Sequence, residues 1–374
     1  MMDAQRNTIV KMQNKQDVLR ELIAPLLAWY DNSHRILPWR EEPTPYRVWI
    51  SEIMLQQTRV EAVKPYYERF LTALPDVHAL AQAAEDELLK LWEGLGYYNR
   101  VRNLQKAAIQ IEENYNGKIP GSYEELLKLP GIGSYTAGAI ASIAFGQAVP
   151  AVDGNVLRIL ARVLADDGDV MEQKVRRRME ESLLSVMPAE RAGDFNQALM
   201  ELGATVCVPN GAPKCEACPW NMLCRAKACN EIDQYPKKTP KKARTIEEKT
   251  ILIIQDENKT ALCKRPEKGL LAGMYEFPSI QGHKDEKEVL KHLEKMGYKA
   301  IHIQKLEQAK HIFSHREWHM LGYAIRVDEL ERPIESGNLI FVEKGETEEK
   351  YPIPSAFSAY AGYVNIRLGN EKYR

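Results

Sequence analysis

From Asp17 to about Cys229, apolar residues recur at intervals of three and four, as in Leu88, Leu89, Leu91, Trp92 and Leu95. That period predicts helix throughout the stretch. Turn signals punctuate it at Asn116-Gly117, Ile119-Pro120-Gly121 and Leu129-Pro130-Gly131-Ile132-Gly133. Between Gln234 and Lys249 the pattern stops. The segment QYPKKTPKKARTIEEK holds two prolines, many lysines and almost no apolar residues, and it reads as an exposed linker. Beyond it, Thr250–Ile254, a polar turn and Ala261-Leu262-Cys263 predict a β-hairpin. A helix is expected over 286–297, with short strands near 301–306, 318–327 and 338–342. No internal repeat is visible. The expected organisation is therefore a loose tail over 1–16, an all-α domain over 17–230, a basic linker over 231–249 and an α+β domain over 250–374.

Length supports two domains, since 374 residues exceed one typical core. Apolar residues at 44% and charged residues at 28% exclude wholesale disorder. No run approaches the ~18 apolar residues of a membrane helix. The first 16 residues lack the apolar core of a secretory signal. The expectation is a cytoplasmic monomer in a reducing compartment. A formal net charge of -1 gives no general affinity for nucleic acid, so a nucleic-acid surface has to be a local basic patch.

The cysteines change the picture most. Five of the six lie between positions 207 and 229. In a reducing compartment such clustering points to metal ligands rather than disulfides. Cys207, Cys215, Cys218 and Cys224 are separated by seven, two and five residues, and Cys229 follows after four more. The Cys215-x-x-Cys218 hook suits zinc, although zinc modules usually pair two such hooks. Four thiolates on a compact loop equally suit a [4Fe–4S] cluster, and the spacing leaves both open. Lys214 and Arg225 beside the loop are candidate phosphate contacts.

Two further segments carry candidate chemistry. In LPGIGSYTA, Gly131 and Gly133 allow a tight turn that bares backbone amides at a helix start, an arrangement that suits a phosphate oxygen without reading sequence. Twenty residues past Gly133, Val152-Asp153-Gly154-Asn155-Val156 opens the helix NVLRILARVL. An aspartate there is most often an N-cap. A carboxylate at a helix N-terminus also stays ionised readily. Upstream, Glu52 in WISEIMLQQTRV has Trp49, Ile50, Ile53 and Met54 as helical neighbours. So apolar a setting raises a carboxyl's pKa and keeps part of it protonated near neutrality, as a general acid needs. The competing reading is a solvated acid in a first helical turn.

Together these segments resemble the helix-hairpin-helix DNA glycosylases of the endonuclease III and MutY superfamily, over about Gln16 to Arg367. The pair LPGIGSYTAGA…VDGNV and the cysteine loop carry the superfamily resemblance. The loop has one residue more than the family's in its first gap, within the Pro/Gly-rich CVPNGAPKC. The string WISEIMLQQTRV resembles the signature of MutY-type adenine DNA glycosylases. The resemblance implies an all-α catalytic domain with its hairpin at 123–144 and an iron–sulphur loop at 207–224. That loop would hold a [4Fe–4S] cluster on Cys207, Cys215, Cys218 and Cys224. It implies that Glu52 protonates adenine at a ring nitrogen and that Asp153 stabilises the positive sugar, with Tyr135 and Asn155 supporting them. The endonuclease III branch has a Schiff-base lysine where this chain has Tyr135, so a monofunctional enzyme is implied. Trp39, Arg40 and Gln197 match adenine-pocket positions, while Leu55, Gln57 and Thr58 match a wedge beside the partner base. Tyr97, in the aromatic and basic turn Gly94–Asn103, matches a tyrosine that stacks into the duplex, and Gly131 and Gly133 match phosphate contacts.

The C-terminal domain resembles the MutT-related (Nudix-like) domain of the same family, through GLLAGMYEFP at 269–278 and Phe313-Ser314-His315, which matches an 8-oxoguanine-reading loop. The stretch GHKDEKEVLKHLEKMGYK lacks the Arg-Glu…Glu-Glu pattern that holds magnesium in pyrophosphohydrolases. Fold and base recognition are thus implied without hydrolysis. The expected activity is base-excision repair: removal of adenine mispaired with 8-oxoguanine or guanine in double-stranded DNA.

Overall fold

The computed structural model describes residues 15–240, 243–327 and 339–369. The expected tail lies outside them except for Lys15 and Gln16, which open the first helix. Contacts divide the chain into two units. One holds the residues up to Gln82 with Asn103–Pro240, and the other holds Ala83–Arg102 with the residues from Lys241 onward. The segment 83–102, read from sequence as part of the all-α stretch, groups with the second unit.

In chain order the helices of the first unit are α1 (Lys15–Ser33), α2 (Pro38–Glu41), α3 (Pro45–Leu55), α4 (Val60–Ala73) and α5 (Val77–Gln82). Then α6 (Glu85–Leu91) belongs to the second unit, and the boundary falls within α7 (Asn99–Tyr115). The first unit continues with α8 (Tyr123–Leu126), α9 (Ser134–Phe145), α10 (Gly154–Leu164), α11 (Gln173–Leu184), α12 (Ala192–Thr205) and α13 (Arg225–Ala228). Among the helices that carry candidate site residues are α3, α10 and α12. α3 starts on Pro45, whose missing N–H costs nothing there, behind the Thr44 cap that accepts from Arg47 N–H at 3.3 Å. It buries every residue from Tyr46 to Met54 except Arg47, Glu52 included. α10 buries Val156 to Leu164 without a break. α12 packs against α10, and at Gly203 the approach is so close that a Cβ would lie 2.7 Å from the Asn155 Cβ.

α8 and α9 form the hairpin expected at 123–144. Between them Gly131 has φ +76° and passes so near Asn103 that a Cβ would lie 2.6 Å from that residue's Cβ. Glycine is required there on both counts. At Gly133, the N-cap of α9, φ is −96° and a Cβ would meet nothing within 4 Å. Internal packing therefore gives no reason for glycine at 133; the bare backbone faces outward.

Among the described residues the second unit holds a seven-stranded mixed sheet ordered β3-β2-β1-β6-β5, with β4 on β1 and β7 on β2. Its strands are β1 (Thr245–Asp256), β2 (Lys259–Lys264), β3 (Tyr275–Glu276), β4 (Ser279–Gln281), β5 (Ala300–Ile312), β6 (Arg316–Val327) and β7 (Leu339–Glu343). The expected hairpin is β1–β2, paired at Gln255–Thr260. β1 starts five residues earlier than the hydrophobic run, inside the stretch read as linker. The cause is tertiary: from Thr245 onward it pairs in parallel with β6, and that partner is invisible locally. Alternation sends Ile251 and Ile253 to one core with Trp318 and Phe357. Leu252 and Ile254 go to the other core, with Val289 and Leu293 of α14 (Glu286–Lys295). The expected strand at 338–342 appears as β7; residue 338 lies outside the described residues. Helices α15 (Lys344–Lys350) and α16 (Ser358–Ala361) complete the unit.

Candidate active site

A cavity of about 150 Å³ opens in the first unit, lined among others by Trp39, Arg40, Glu52, Leu55, Thr58, Tyr135, Asp153, Asn155 and Gln197. Voids of roughly this size accept one aromatic ring. Residues read from sequence as acid, carboxylate, support and base pocket thus share one space, although 158 positions separate Trp39 from Gln197. Gln57 does not join them. It sits just past α3, exposed, at φ +60°. Leu55 and Thr58 on either side reach the cavity while Gln57 faces out.

Glu52 is 5% exposed and receives the Tyr135 hydroxyl on Oε2. Burial pushes its pKa up to about 7 and the charge of Asp153 adds to the rise, against the Tyr135 hydrogen bond and the Arg40 charge. Tyr135 is pushed well above its ordinary value by burial and by Glu52, so it stays a neutral donor. Asp153 is both N-cap and cavity wall. Its Oδ1 accepts from Val156 N–H at 2.8 Å and its Oδ2 from the Asn155 amide at 2.7 Å. Burial raises its pKa too, opposed by those donors and by Arg158. A carboxyl that keeps part of its protons near neutrality, close to a second carboxyl held by hydrogen-bond donors, is the pairing that glycosidic cleavage uses.

Arg158 ties this site to the cysteine loop. It donates to Asn155 Oδ1 at 2.9 Å, to Gly203 O at 2.7 Å and to Cys207 O at 2.9 Å. The next turn of α10 brings Arg162, which donates to Cys207 Sγ at 3.3 Å and to Val208 O at 3.0 Å. Cys207, Cys215, Cys218 and Cys224 ring one small cavity with Arg162 and Lys227, and Cys229 is outside that ring. Among the described residues no three His, Cys, Asp or Glu side chains converge on a point one ion could occupy. Burial pushes the Cys218 thiol up to about 12 and the Cys224 thiol to about 11. The longer first gap is closed by Lys214 N–H on Val206 O at 3.0 Å and turns at Gly211, φ +77°. Trp220 pins the loop to α1 by donating to Leu22 O at 3.0 Å. Of the two basic residues beside the loop, Lys214 is exposed, but Arg225 is only 9% exposed, so its packing removes it as a phosphate contact.

In the second unit, Phe313, Ser314 and His315 form the three-residue turn joining β5 to β6, closed by Phe313 N–H on Arg316 O at 2.9 Å. Phe313 packs edge-on against His311 and Trp318, which leaves Ser314 and His315 exposed. They border a cleft of about 670 Å³ together with Tyr97, Leu270 and Arg244. Tyr97 is 48% exposed at φ +51°, and its hydroxyl lies 3.1 Å from Ser314 Oγ. At the start of α14, Glu288 closes a capping box with Asp285 and pairs with Lys284 at 3.0 Å.

Two charged residues of the cavity wall escaped the sequence reading, Arg35 and Glu201. The signal for Glu201 is a lone acid in the apolar run ALMELGA, four residues after Gln197 and hence on the same helical face. Nothing local marks Arg35.

A hairpin with a bare helix start, two carboxyls at a ring-sized cavity and a thiol-ringed loop are the parts of a base-excision glycosylase. The pattern of the HhH-GPD superfamily of base excision DNA repair proteins matches residues 50–184, and that of the NUDIX domain matches residues 250–361. The protein is accordingly a DNA N-glycosylase, a hydrolase of N-glycosyl bonds, with a Nudix-like second domain. The adenine DNA glycosylase of Mus musculus is 36% identical over 362 residues, covering 81% of this chain and 70% of the mouse protein. That of Buchnera aphidicola subsp. Schizaphis graminum is 36% identical over 307 residues, covering 81% of this chain and 86% of its own length. A thermostable thymine-DNA glycosylase of known structure superposes with a TM-score of 0.52 at 27% identity, covering 57% of this chain and 99% of that one. The chain belongs to the adenine DNA glycosylase family. Among the described residues no helix is long and apolar enough to cross a membrane.

Proposed function

We propose that the protein removes adenine mispaired with 8-oxoguanine or guanine in duplex DNA, and that it does so without cleaving the strand. The observation that carries this reading is the cavity that joins Glu52, Asp153 and Tyr135. Protonated Glu52 gives its proton to a ring nitrogen of the flipped base. As the bond to the sugar breaks, the Asp153 carboxylate stabilises the oxocarbenium-like centre or captures it, and water completes the hydrolysis. Tyr135 holds Glu52 in place, and Asn155 holds Asp153. Tyr135 offers a phenol where a lyase needs an amine, so no Schiff base forms. Trp39, Arg40 and Gln197 bound the base. Leu55, Gln57, Thr58 and Tyr97 fill the stack, offsetting part of the few kcal/mol of flipping. The bare amides at Gly131 and Gly133 take a phosphate.

A [4Fe–4S] cluster suits the four thiols, which ring one small cavity with Arg162 and Lys227. Cys207, Cys215, Cys218 and Cys224 would hold it. When bound, such a cluster supplies four metal–thiolate bonds that close the 207–224 loop.

Selectivity for the damaged partner rests on the exposed Ser314 and His315. Single-turnover adenine release is expected to be fastest opposite 8-oxoguanine, slower opposite guanine and absent opposite thymine. Ser314→Ala together with His315→Ala should cut the 8-oxoguanine rate advantage by roughly 10-fold, the scale of one or two lost hydrogen bonds, and leave the guanine rate alone. Equal losses on both duplexes would remove the loop from lesion recognition.

A further inference from the structure

Glu201 is the one carboxylate of the cavity wall that the proposed chemistry leaves unused. Its side chain is fully buried, and α12 carries it with Gln197, Met200 and Ala204 on the face that lines the cavity. Both its oxygens are spoken for. Oε1 takes Arg35 Nε at 2.6 Å and Arg35 backbone N–H at 3.2 Å. Oε2 takes an Arg35 terminal nitrogen at 3.0 Å and an Arg40 terminal nitrogen at 2.9 Å. The other Arg40 terminal nitrogen donates to Arg35 O at 2.9 Å. The Arg40 plane is thus held at two points, by Glu201 and by the residue Glu201 also holds.

We infer that Glu201 is a positioning residue for base release: it clamps Arg35 and Arg40 in one orientation and cancels one of the two positive charges they bring to the cavity wall. Guanidinium groups have donors only, so a fixed Arg40 presents a fixed donor edge to an acceptor nitrogen of the base. Fixing a rotamer-rich side chain before the base arrives removes an ordering cost from the reaction. Charge gives the clamp a second effect. The groups facing Glu52 are Tyr135 from α9, Asp153 from the start of α10 and Arg40 from α2, and of these Arg40 is the cation that favours ionised Glu52. Burial alone would raise the Glu201 carboxyl, but the Arg35 hydrogen bond and the Arg40 charge hold it below its ordinary value, so the compensating charge is present throughout the working range.

The inference rests on Glu52 being the acid, and the test separates the two. Adenine release by the full chain is followed against pH under single turnover. In the unsubstituted protein the rate should fall as pH rises through about 7. Absence of that fall sinks the role of Glu52 and says so before any variant is made. In Glu201→Gln the rate should drop roughly 10- to 100-fold and the fall should move to lower pH, because Arg40 now acts on Glu52 uncompensated. In Glu201→Asp, which keeps the charge but withdraws the oxygens, the rate should drop and the fall should stay in place. In an Arg40→Gln background, Glu201→Gln should add less than about 2-fold, since partners in one network do not add. A full, additive loss there, or a fall that stays put in Glu201→Gln, would make Glu201 merely structural and overturn the inference. If Glu201→Gln does not fold, Arg40→Gln alone should move the fall to higher pH, and an unmoved fall is equally fatal.

Discussion

Asp153→Asn should bind an adenine-containing duplex as tightly as the unsubstituted protein and release adenine at least roughly 10²- to 10³-fold more slowly. The substitution separates two functions that share one side chain. Asp153 caps α10 through its bond to Val156 N–H, and a simple loss of the cap would cost about 1 kcal/mol. Asparagine caps a helix as well as aspartate does, and its oxygen can accept the same N–H. What it lacks is the negative charge. Helix α10, with its unbroken buried face, should therefore stay intact, and duplex affinity with it. The developing positive charge on the sugar would lose its counter-ion beside the buried Glu52, where a charge counts for more than in open water. Duplex affinity and single-turnover release measured on the same preparation check both halves. Unchanged release would reduce Asp153 to a cap.

Glu52→Gln should cost roughly 10²- to 10⁴-fold in release, the scale of one positioned proton donor. The fall of rate near pH 7 should also vanish. An amide still fits among Trp49, Ile53 and Tyr135 and can accept the Tyr135 hydroxyl, so packing survives. Stability carries a second signature of opposite sign. The folded pKa of Glu52 is about 7 against 4.5 for the free group, so the folded state holds the proton more tightly. That contribution is fully present below the ordinary carboxylate value and is lost as pH rises through about 7. Glutamine does not titrate. At pH 8 Glu52→Gln should therefore have the higher Tm, while at pH 5 the difference should shrink or reverse. A variant that melts lower at pH 8 would show that Glu52 is not held against ionisation.

Much of the candidate site is legible in the sequence because its parts are local. A tight turn needs Gly131, a helix start favours Asp153, and an acid among Trp49, Ile50, Ile53 and Met54 is anomalous wherever the helix goes. The strand-period run from Thr250 to Ile254 is local in the same way. What stays hidden is set by distant pairing. β1 begins at Thr245 because β6 lies alongside it, 71 positions further on, and no local pattern announces that. The Arg35–Glu201 pair spans 166 positions. Arg225 looks like a surface cation in sequence, yet the fold buries it beside the cysteine loop. The cysteine spacing does not choose between zinc and iron; what the fold adds is that Cys207, Cys215, Cys218 and Cys224 line one small cavity while Cys229 does not.

Adenine opposite 8-oxoguanine should be released with the strand left intact. The direct test incubates an adenine:8-oxoguanine duplex, labelled on the adenine strand, and splits the products with and without hot alkali. An unbroken strand without alkali, a break at the adenine position with it, and no protein–DNA adduct trapped by borohydride are expected. Strand breakage without alkali, together with a trapped adduct, would contradict that expectation.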